Sequence, residues 1–418
     1  MKFPLSCSGL KLASRSGIVE LMDDLGEAMS GDAGEMCMMG GGNPAAIAQI
    51  QEVWRTRLAE LLESGECDSM LGNYDGPAGN PAFRKAFAAA LRDHFGWKID
   101  QGNIAVTNGG QSAFFSLFNM LAGEFPDGSR RRIVIPLVPE YIGYENQGVR
   151  ESLFATFRPK IHLLDNREFK YEVDFEHLAI GVGTAAICVS RPTNPTGNVL
   201  TDEEIAHLLD LARAHSIPLI VDSAYGAPFP NAIFTEINPV WNEDVILTFS
   251  LSKLGLPGTR TGIVLAHESV IERISALTSV IGLANNNVGQ AITRPLLENG
   301  ELIRLSREVI RPFYRGKSVR ALAWLHQIFA ERFPYRVHRS EGAFFLWVWF
   351  PDLPITTREL YQRLKSAGVL VIPGEYFFYG LEEHWPHSRQ CIRLTFSQPG
   401  ETVRRGLEII ADEVEKLG

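Results

Sequence analysis

A lysine, two serines and an arginine fall within the eleven residues from Ser250 to Arg260. Lysine is the side chain that condenses with an aldehyde and, once stripped of water, serves as a base. Small hydroxyls and a guanidinium grip phosphate oxygens. Lys253 beside Ser250, Ser252 and Arg260 therefore suits a phosphorylated ligand that also carries an aldehyde. The apolar run Val245-Ile246-Leu247-Thr248-Phe249 delivers these groups as a short buried strand, and Gly255, Pro257 and Gly258 mark the turn that follows. A lone loop lysine is by default a solvated one, so residues elsewhere have to decide between the two readings.

Asp222 closes the apolar run Leu219-Ile220-Val221, where a carboxylate needs either a cationic partner or a helix to cap. Tyr225 follows three residues later. Arg393 stands inside Cys391-Ile392-Arg393-Leu394-Thr395, and an arginine in an apolar strand needs an anion, from a ligand or from a structural ion pair. The strand Ile104–Thr107 runs into Asn108-Gly109-Gly110-Gln111 and a helix rich in Phe and Leu, a junction where free N–H groups and the helix dipole converge on an anion. Arg191-Pro192-Thr193-Asn194-Pro195-Thr196-Gly197 is a stiff loop at a strand's end, the place where open α/β sheets bind ligands. Near the start, Gly40-Gly41-Gly42-Asn43-Pro44 allows close backbone approach but matches neither a dinucleotide nor a Walker spacing.

Taken in this order, the segments resemble the fold-type I pyridoxal-phosphate (PLP) enzymes, the aspartate aminotransferase superfamily. The seven-residue step from Lys253 to Arg260 is similar to that of the aromatic and 2-aminoadipate branch. The resemblance implies that Lys253 carries PLP, that Asp222 keeps its ring nitrogen protonated, and that Asn194 and Tyr225 hydrogen-bond its phenolic oxygen. It places Gly110, Gln111, Ser250, Ser252 and Arg260 around the phosphate. Tyr141, in Val138-Pro139-Glu140-Tyr141, would stack on the ring, with Tyr144 as the alternative. Tyr74, in Asn73-Tyr74-Asp75-Gly76-Pro77-Ala78-Gly79, would reach the neighbouring subunit's phosphate in a homodimer with shared active sites. Arg393 and Asn194 would bind the substrate carboxylate, and Gly41 would line the substrate pocket. Catalysis would fall to Lys253, Asp222 and Tyr225.

Segments Gly40–Pro44, Asn73–Gly79, Pro139–Tyr144, Ser190–Asn198, Ser250–Arg260 and Gly342–Phe350 resemble the alanine-forming branch of these aminotransferases, across nearly the whole length. That implies transfer of an amino group from valine, or a similar neutral aliphatic amino acid, to pyruvate, giving 2-oxoisovalerate and alanine. No second arginine for a dicarboxylic side chain is evident, which agrees. The rivals on the same fold are an aromatic or 2-aminoadipate aminotransferase, a β-lyase or synthase, and a non-catalytic ligand-sensing domain. Sensors of that kind carry a basic DNA-binding module, and no basic tail is present here.

The elements that must hold these groups follow from the pattern. The resemblance implies an α/β fold of type I, a large domain with a mixed, mainly parallel sheet between helices plus a smaller α+β domain. The expected division is 50–300 for the large PLP-binding domain, with 1–49 and 301–418 forming the small one. Ala45–Ser64 reads as an amphipathic helix with Ile47, Ile50, Trp54, Leu58, Leu61 and Leu62 on its apolar side. Thr201 and Glu204 read as a capping box, and helices dominate from Val270 to Phe333. The chain has 418 residues, 45% of them hydrophobic, and a net charge of −9, enough for a large core and unsuited to nucleic acid. Five scattered cysteines without C-x-x-C spacing, and an N-terminus without an apolar signal core, point to the cytoplasm. His384 and His387 lack a third ligand in the sequence, so no metal is expected and both read as surface histidines.

Overall fold

The computed structural model describes residues 3–14, 17, 19, 23–24, 26 and 36–418. Its first sheet runs in the order Ile104–Thr107, Gly262–Leu265, Val245–Ser250, Leu219–Asp222, Thr184–Ser190, Arg130–Ile135 and Gly123–Glu124, with Phe154–Thr156 also pairing Arg130–Ile135. Five of these strands pair in parallel, while Gly262–Leu265 is antiparallel to both neighbours. Val245–Ser250 and Thr184–Ser190 are buried along their whole length. That is why they read as unbroken apolar runs: a parallel sheet with helices on both faces has no wet side.

The second sheet is built mainly from the C-terminal third, in the order Ile372–Pro373, Cys391–Thr395, Phe345–Trp349, Arg336–His338, Glu168–Glu172 and Lys160–Leu163. Its last two strands come from the middle of the chain, and Glu168–Glu172 joins Arg336–His338 in parallel. A boundary drawn at residue 300 therefore leaves a hairpin of the second sheet inside the first unit. Nothing local marks such a crossing, because the partner strand is remote in sequence.

The helices follow their local chemistry. Pro81–Phe95 starts where Asn80 accepts hydrogen bonds from the N–H groups of Ala82 and Phe83, with Pro81 as its first residue, and ends at Gly96 with φ 71°. Its Phe87 packs against Phe229 and against Phe249 of the lysine strand. The Thr201–Glu204 capping box is present at the head of Asp202–Ala214. The expected helix at Ala45–Ser64 begins at Ala48, with Ile50, Trp54 and Leu61 buried. Trp54 Nε1 donates to the Leu254 carbonyl at 3.1 Å and so ties this helix to the lysine turn. Leu58 and Leu62, expected on the same buried side, are 42% and 68% exposed.

His387 also departs from expectation. It is buried, hydrogen-bonded to the Tyr171 hydroxyl and beside Cys391 and Trp349, whereas His384 is at the surface. Burial among aromatic rings holds the imidazole near pKa 3, so it is neutral. Cys7, Cys67, Cys188 and Cys391 are free thiols. Among the described residues no helix is long and apolar enough to cross a membrane.

Candidate active site

Three parallel strands end side by side at Ser190, Asp222 and Ser250, and Asp222 is level with both Ser190 and Thr248 in the ladder. All four face a cavity of about 370 Å³ between the two sheets. The lining gathers Gly110, Gln111, Tyr141, Asn194, Asp222, Tyr225, Ser250, Ser252, Lys253, Arg260 and Arg393 from segments far apart in the chain. Two residues singled out in the sequence are elsewhere. Gly41 is outside the lining, whereas its neighbours Gly40 and Gly42 are in it. Their carbonyls are the ones taken up, by Arg393 and Lys253 respectively. Tyr74 is 82% exposed and outside the pocket of its own chain.

Lys253 follows the strand in a short 3-10 turn whose start is capped by Ser250 and whose end is Gly255 with φ 91°. Its Nζ donates to the Gly42 carbonyl at 2.7 Å. Burial, with the positive charge of Arg393 adding to it, holds the amine down to about pKa 8. Half of the molecules then carry a neutral, nucleophilic amine near pH 8. The rate at which apoprotein captures PLP, followed by absorbance, should accordingly rise through pH 8 and level off above it. A midpoint near 10.5, the value of a free lysine, would show that the amine is solvated.

Asp222 is held by a 2.6 Å hydrogen bond from the Tyr144 hydroxyl, by the Ala224 N–H at 2.9 Å and by Thr248 Oγ1 at 3.3 Å. Burial raises its pKa, and these donors oppose the rise. Tyr144 thus lies beneath the pocket, bonded to Asp222, whereas Tyr141 lines it. The two rings meet edge to face at 5.3 Å.

Arg393 is 6% exposed. Its Nη1 donates to Asn194 Oδ1 and its Nη2 to the Gly40 carbonyl, both at 2.7 Å, and the guanidinium lies 4.2 Å from the Phe345 ring centre. Burial presses its pKa to about 10, which still leaves it charged at neutral pH. No salt bridge engages it among the described residues, and its Nε is buried without a partner. A cation held this way by neutral acceptors is one that an incoming carboxylate can claim.

At the far end, the helix Gly110–Leu121 points its N-terminus into the cavity. Gly109, with φ 92°, precedes it, and a Cβ there would meet Arg260 Nη2 at 2.3 Å. Only glycine lets the guanidinium lie against this turn. Gln111 spends its side-chain amide on the Gly143 carbonyl, so it offers backbone to a ligand. The donor set fits PLP at every functional end: an amine for the aldehyde, a half-buried carboxylate with no salt bridge among the described residues for a ring nitrogen, and a helix terminus with Arg260 and two serines for the phosphate.

The residues around Asp222 that no local signal marked out are Thr248, Ser190 and Glu140. Thr248 was within reach, because it lies two residues before Ser250 and points to the same side of a strand. The asparagine turn Asn285-Asn286-Asn287 lies outside this pocket. It ties down the Tyr74 segment through Asn285 to the Pro77 carbonyl and Asn287 to the Asn73 carbonyl.

Residues 34–410 match the family model described as aminotransferase class I and II. Valine–pyruvate aminotransferase of Escherichia coli is 48% identical over 98% of this chain and 98% of its own. The solved structure of valine-pyruvate aminotransferase from Salmonella typhimurium aligns with a TM-score of 0.89 and 48% identity, covering 96% of this chain and 99% of that one. A structure from Psychrobacter arcticum aligns with a TM-score of 0.96 and 42% identity over 99% of both chains.

Proposed function

The chain belongs to the class I and II aminotransferases, and from that premise we propose that it moves an amino group from valine, or a closely similar aliphatic amino acid, to pyruvate. It is an aminotransferase of fold type I that uses PLP. The observation that carries the reading is that one cavity joins the amine of Lys253, the carboxylate of Asp222 and the guanidinium of Arg393, which no carboxylate among the described residues engages. When bound, PLP supplies an electron sink for the carbanion at the amino acid's Cα. We assign Lys253 the attachment point and, once released, the base that carries the Cα proton. Arg393 and Asn194 orient the substrate carboxylate, so that Cα is brought to Lys253. Asp222 keeps a proton on the ring nitrogen, Tyr225 and Asn194 donate toward the phenolic oxygen, and Tyr141 covers the ring face. Gly110, Gln111, Ser250, Ser252 and Arg260 hold the phosphate.

The identity to the two valine–pyruvate enzymes supports the donor and acceptor, and the lining agrees with them. Its cations are Lys253, Arg260 and Arg393. The first serves the aldehyde, the second the phosphate and the third the α-carboxylate, so none of the lining cations described in this chain remains for a second carboxylate. Ile372 stands opposite Arg393 in the second sheet, and a Cβ on Gly40 would lie 3.1 Å from its Cδ1. We assign it the wall against the aliphatic side chain. Ile372→Ala should lower kcat/KM for valine by about tenfold or more, since a few methylenes of a pocket are worth that much. An unchanged valine-to-alanine preference would remove Ile372 from the pocket.

The decisive experiment offers purified protein a panel of amino donors with pyruvate and reads alanine. Alanine formed from valine supports the proposal. Alanine formed only from aromatic or 2-aminoadipate donors, or ammonia released from β-substituted amino acids, would replace it.

We further propose a cytoplasmic homodimer in which Tyr74 serves the neighbouring site. Leu62, Leu71, Tyr74, Val280, Ile281 and Leu283 are all more than half exposed on the two segments joined by the asparagine turn, a large apolar area for a monomer to leave wet. Sedimentation should give a dimer, and Tyr74→Ala should weaken PLP retention; a monomer of full activity would refute the assignment. For the domains we keep 50–300 as the cofactor unit and 1–49 with 301–418 as the other, with residues 160–172 as a hairpin lent to the second sheet.

A further inference from the structure

Below the cavity floor a second carboxyl stands close to Asp222. Glu140 is 1% exposed and belongs to no salt bridge among the described residues. Its Oε1 lies 2.7 Å from Ser190 Oγ and accepts from the Tyr141 N–H at 2.7 Å, while its Oε2 accepts from the Ser190 N–H at 3.0 Å. Its own N–H is spent on the Phe377 carbonyl, so the residue is pinned at both ends. From Ser190 Oγ it is 3.4 Å to the Tyr144 hydroxyl, and from there 2.6 Å to Asp222 Oδ2. Four side chains thus form a continuous line that ends on the carboxylate assigned to the cofactor ring.

The count of hydrogens gives this line a direction. Tyr144 has one hydrogen, and it goes to Asp222, so its oxygen can only accept from Ser190. Ser190 also has one hydrogen. If Glu140 is ionised, that hydrogen turns to Glu140 and Tyr144 is left without a donor. If Glu140 carries a proton, it donates to Ser190, Ser190 donates to Tyr144, and Tyr144 donates to Asp222. The titratable groups facing Glu140 from the elements around it are Cys188, Tyr144, Tyr379 and Asp222. Each is neutral or negative, and none supplies the positive charge that a buried carboxylate requires. Burial pushes the Glu140 carboxyl up to about pKa 8, against the opposing hydrogen bonds of Ser190 and the Tyr141 N–H and with a smaller push from Asp222.

We propose that Glu140 is a positioning residue for Asp222: uncharged, it heads a one-way run of hydrogen bonds through the Ser190 and Tyr144 hydroxyls that ends on the Asp222 carboxylate. The run keeps Tyr144 donating, and a carboxylate supplied with donors stays ionised and in place. This rests on the reading that Asp222 faces the cofactor ring, and it concerns how that residue is held rather than what it does.

Two measurements test it. Infrared spectra of the apoprotein at pH 7 should contain a protonated-carboxyl band that Glu140→Gln removes and that fades in the wild type with a midpoint near pH 8. If the band is as strong in Glu140→Gln as in the wild type, Glu140 is ionised and the proposal fails. In the second, equilibrium dissociation of PLP is measured for Glu140→Gln, Glu140→Leu and Ser190→Ala. Gln, which keeps a neutral donor, should hold PLP within about twofold of wild type, whereas Leu and Ser190→Ala should weaken it about tenfold, the scale of one lost hydrogen bond to a charged group. Wild-type affinity in both broken-line variants, or a Gln variant as weak as Leu, would overturn the assignment. Ser190→Ala is the smaller change and carries the decision where the leucine variant misfolds. If wild-type protein bound no PLP, the functional reading would fall, while the infrared band would still decide the charge on Glu140.

Discussion

Lys253→Ala should lower kcat for transamination by about ten-thousand-fold or more, because in the roles proposed for Lys253 the change removes a covalent attachment point and a general base together. Among the described lining residues Lys253 is the only lysine. The other cations are guanidiniums, which do not give up a proton at working pH and cannot replace it. Nor can Asp222, whose oxygens are taken by Tyr144, Ala224 and Thr248. The variant should still bind PLP, since Asp222, Arg260 and the Gly110 helix terminus are untouched. The expected result is therefore a protein that retains PLP reversibly, shows the spectrum of the free aldehyde, and forms no 2-oxo acid at a measurable rate. Retained turnover would place the chemistry on another residue. Complete loss of PLP binding would place most of the binding energy on the covalent link.

The parts of this site that were legible in the sequence share one property. Asp222, Lys253, Arg393 and Asn194 each stand at or in an apolar strand or a proline-stiffened loop, where a charged or polar side chain is out of place on local grounds. A buried charge is costly, and a costly residue is a visible one. The alternation of short apolar runs with helical periods gives the α/β class, while the mainly parallel sheet comes from the family resemblance. What escaped had no local signature. Glu140 is one acidic residue in a Pro-Glu-Tyr turn until Ser190, fifty residues on, is brought 2.7 Å from it. The hairpin 160–172 carries no local mark of the sheet it belongs to, and only its partner at Arg336–His338 assigns it to the second sheet. His387 reads as a surface residue in the sequence because Tyr171, whose hydroxyl meets it, is more than two hundred residues away. Leu58 and Leu62 fit a helical stripe that is wider than the face one chain buries, which is the pattern a second surface would leave.

Arg393→Leu should lower kcat/KM for valine by roughly thirty- to several-thousand-fold, the equivalent of about 2–5 kcal/mol for losing one partner of a buried, hydrogen-bonded charge pair. The guanidinium is already oriented before substrate arrives. Asn194 and the Gly40 carbonyl hold two of its nitrogens, and the rings of Phe345 and Phe377 flank it at 4.2 and 5.3 Å. Arg393→Lys keeps the charge but loses the planar fork and cannot satisfy both acceptors and a carboxylate, so most of the loss should remain. A structural role would produce a different pattern. The strand Cys391–Thr395 is fully buried, so a merely structural arginine would, when replaced, lower stability and depress every substrate alike. The comparison that separates the two uses 2-methylpropylamine, which is valine without its carboxylate. Wild type should favour valine over the amine by a large factor, and Arg393→Leu should collapse that factor toward unity while the slow reaction of the amine is little changed. If the variant lost both reactions in proportion, Arg393 would be holding the sheet together, and the carboxylate site would have to be sought elsewhere in the pocket.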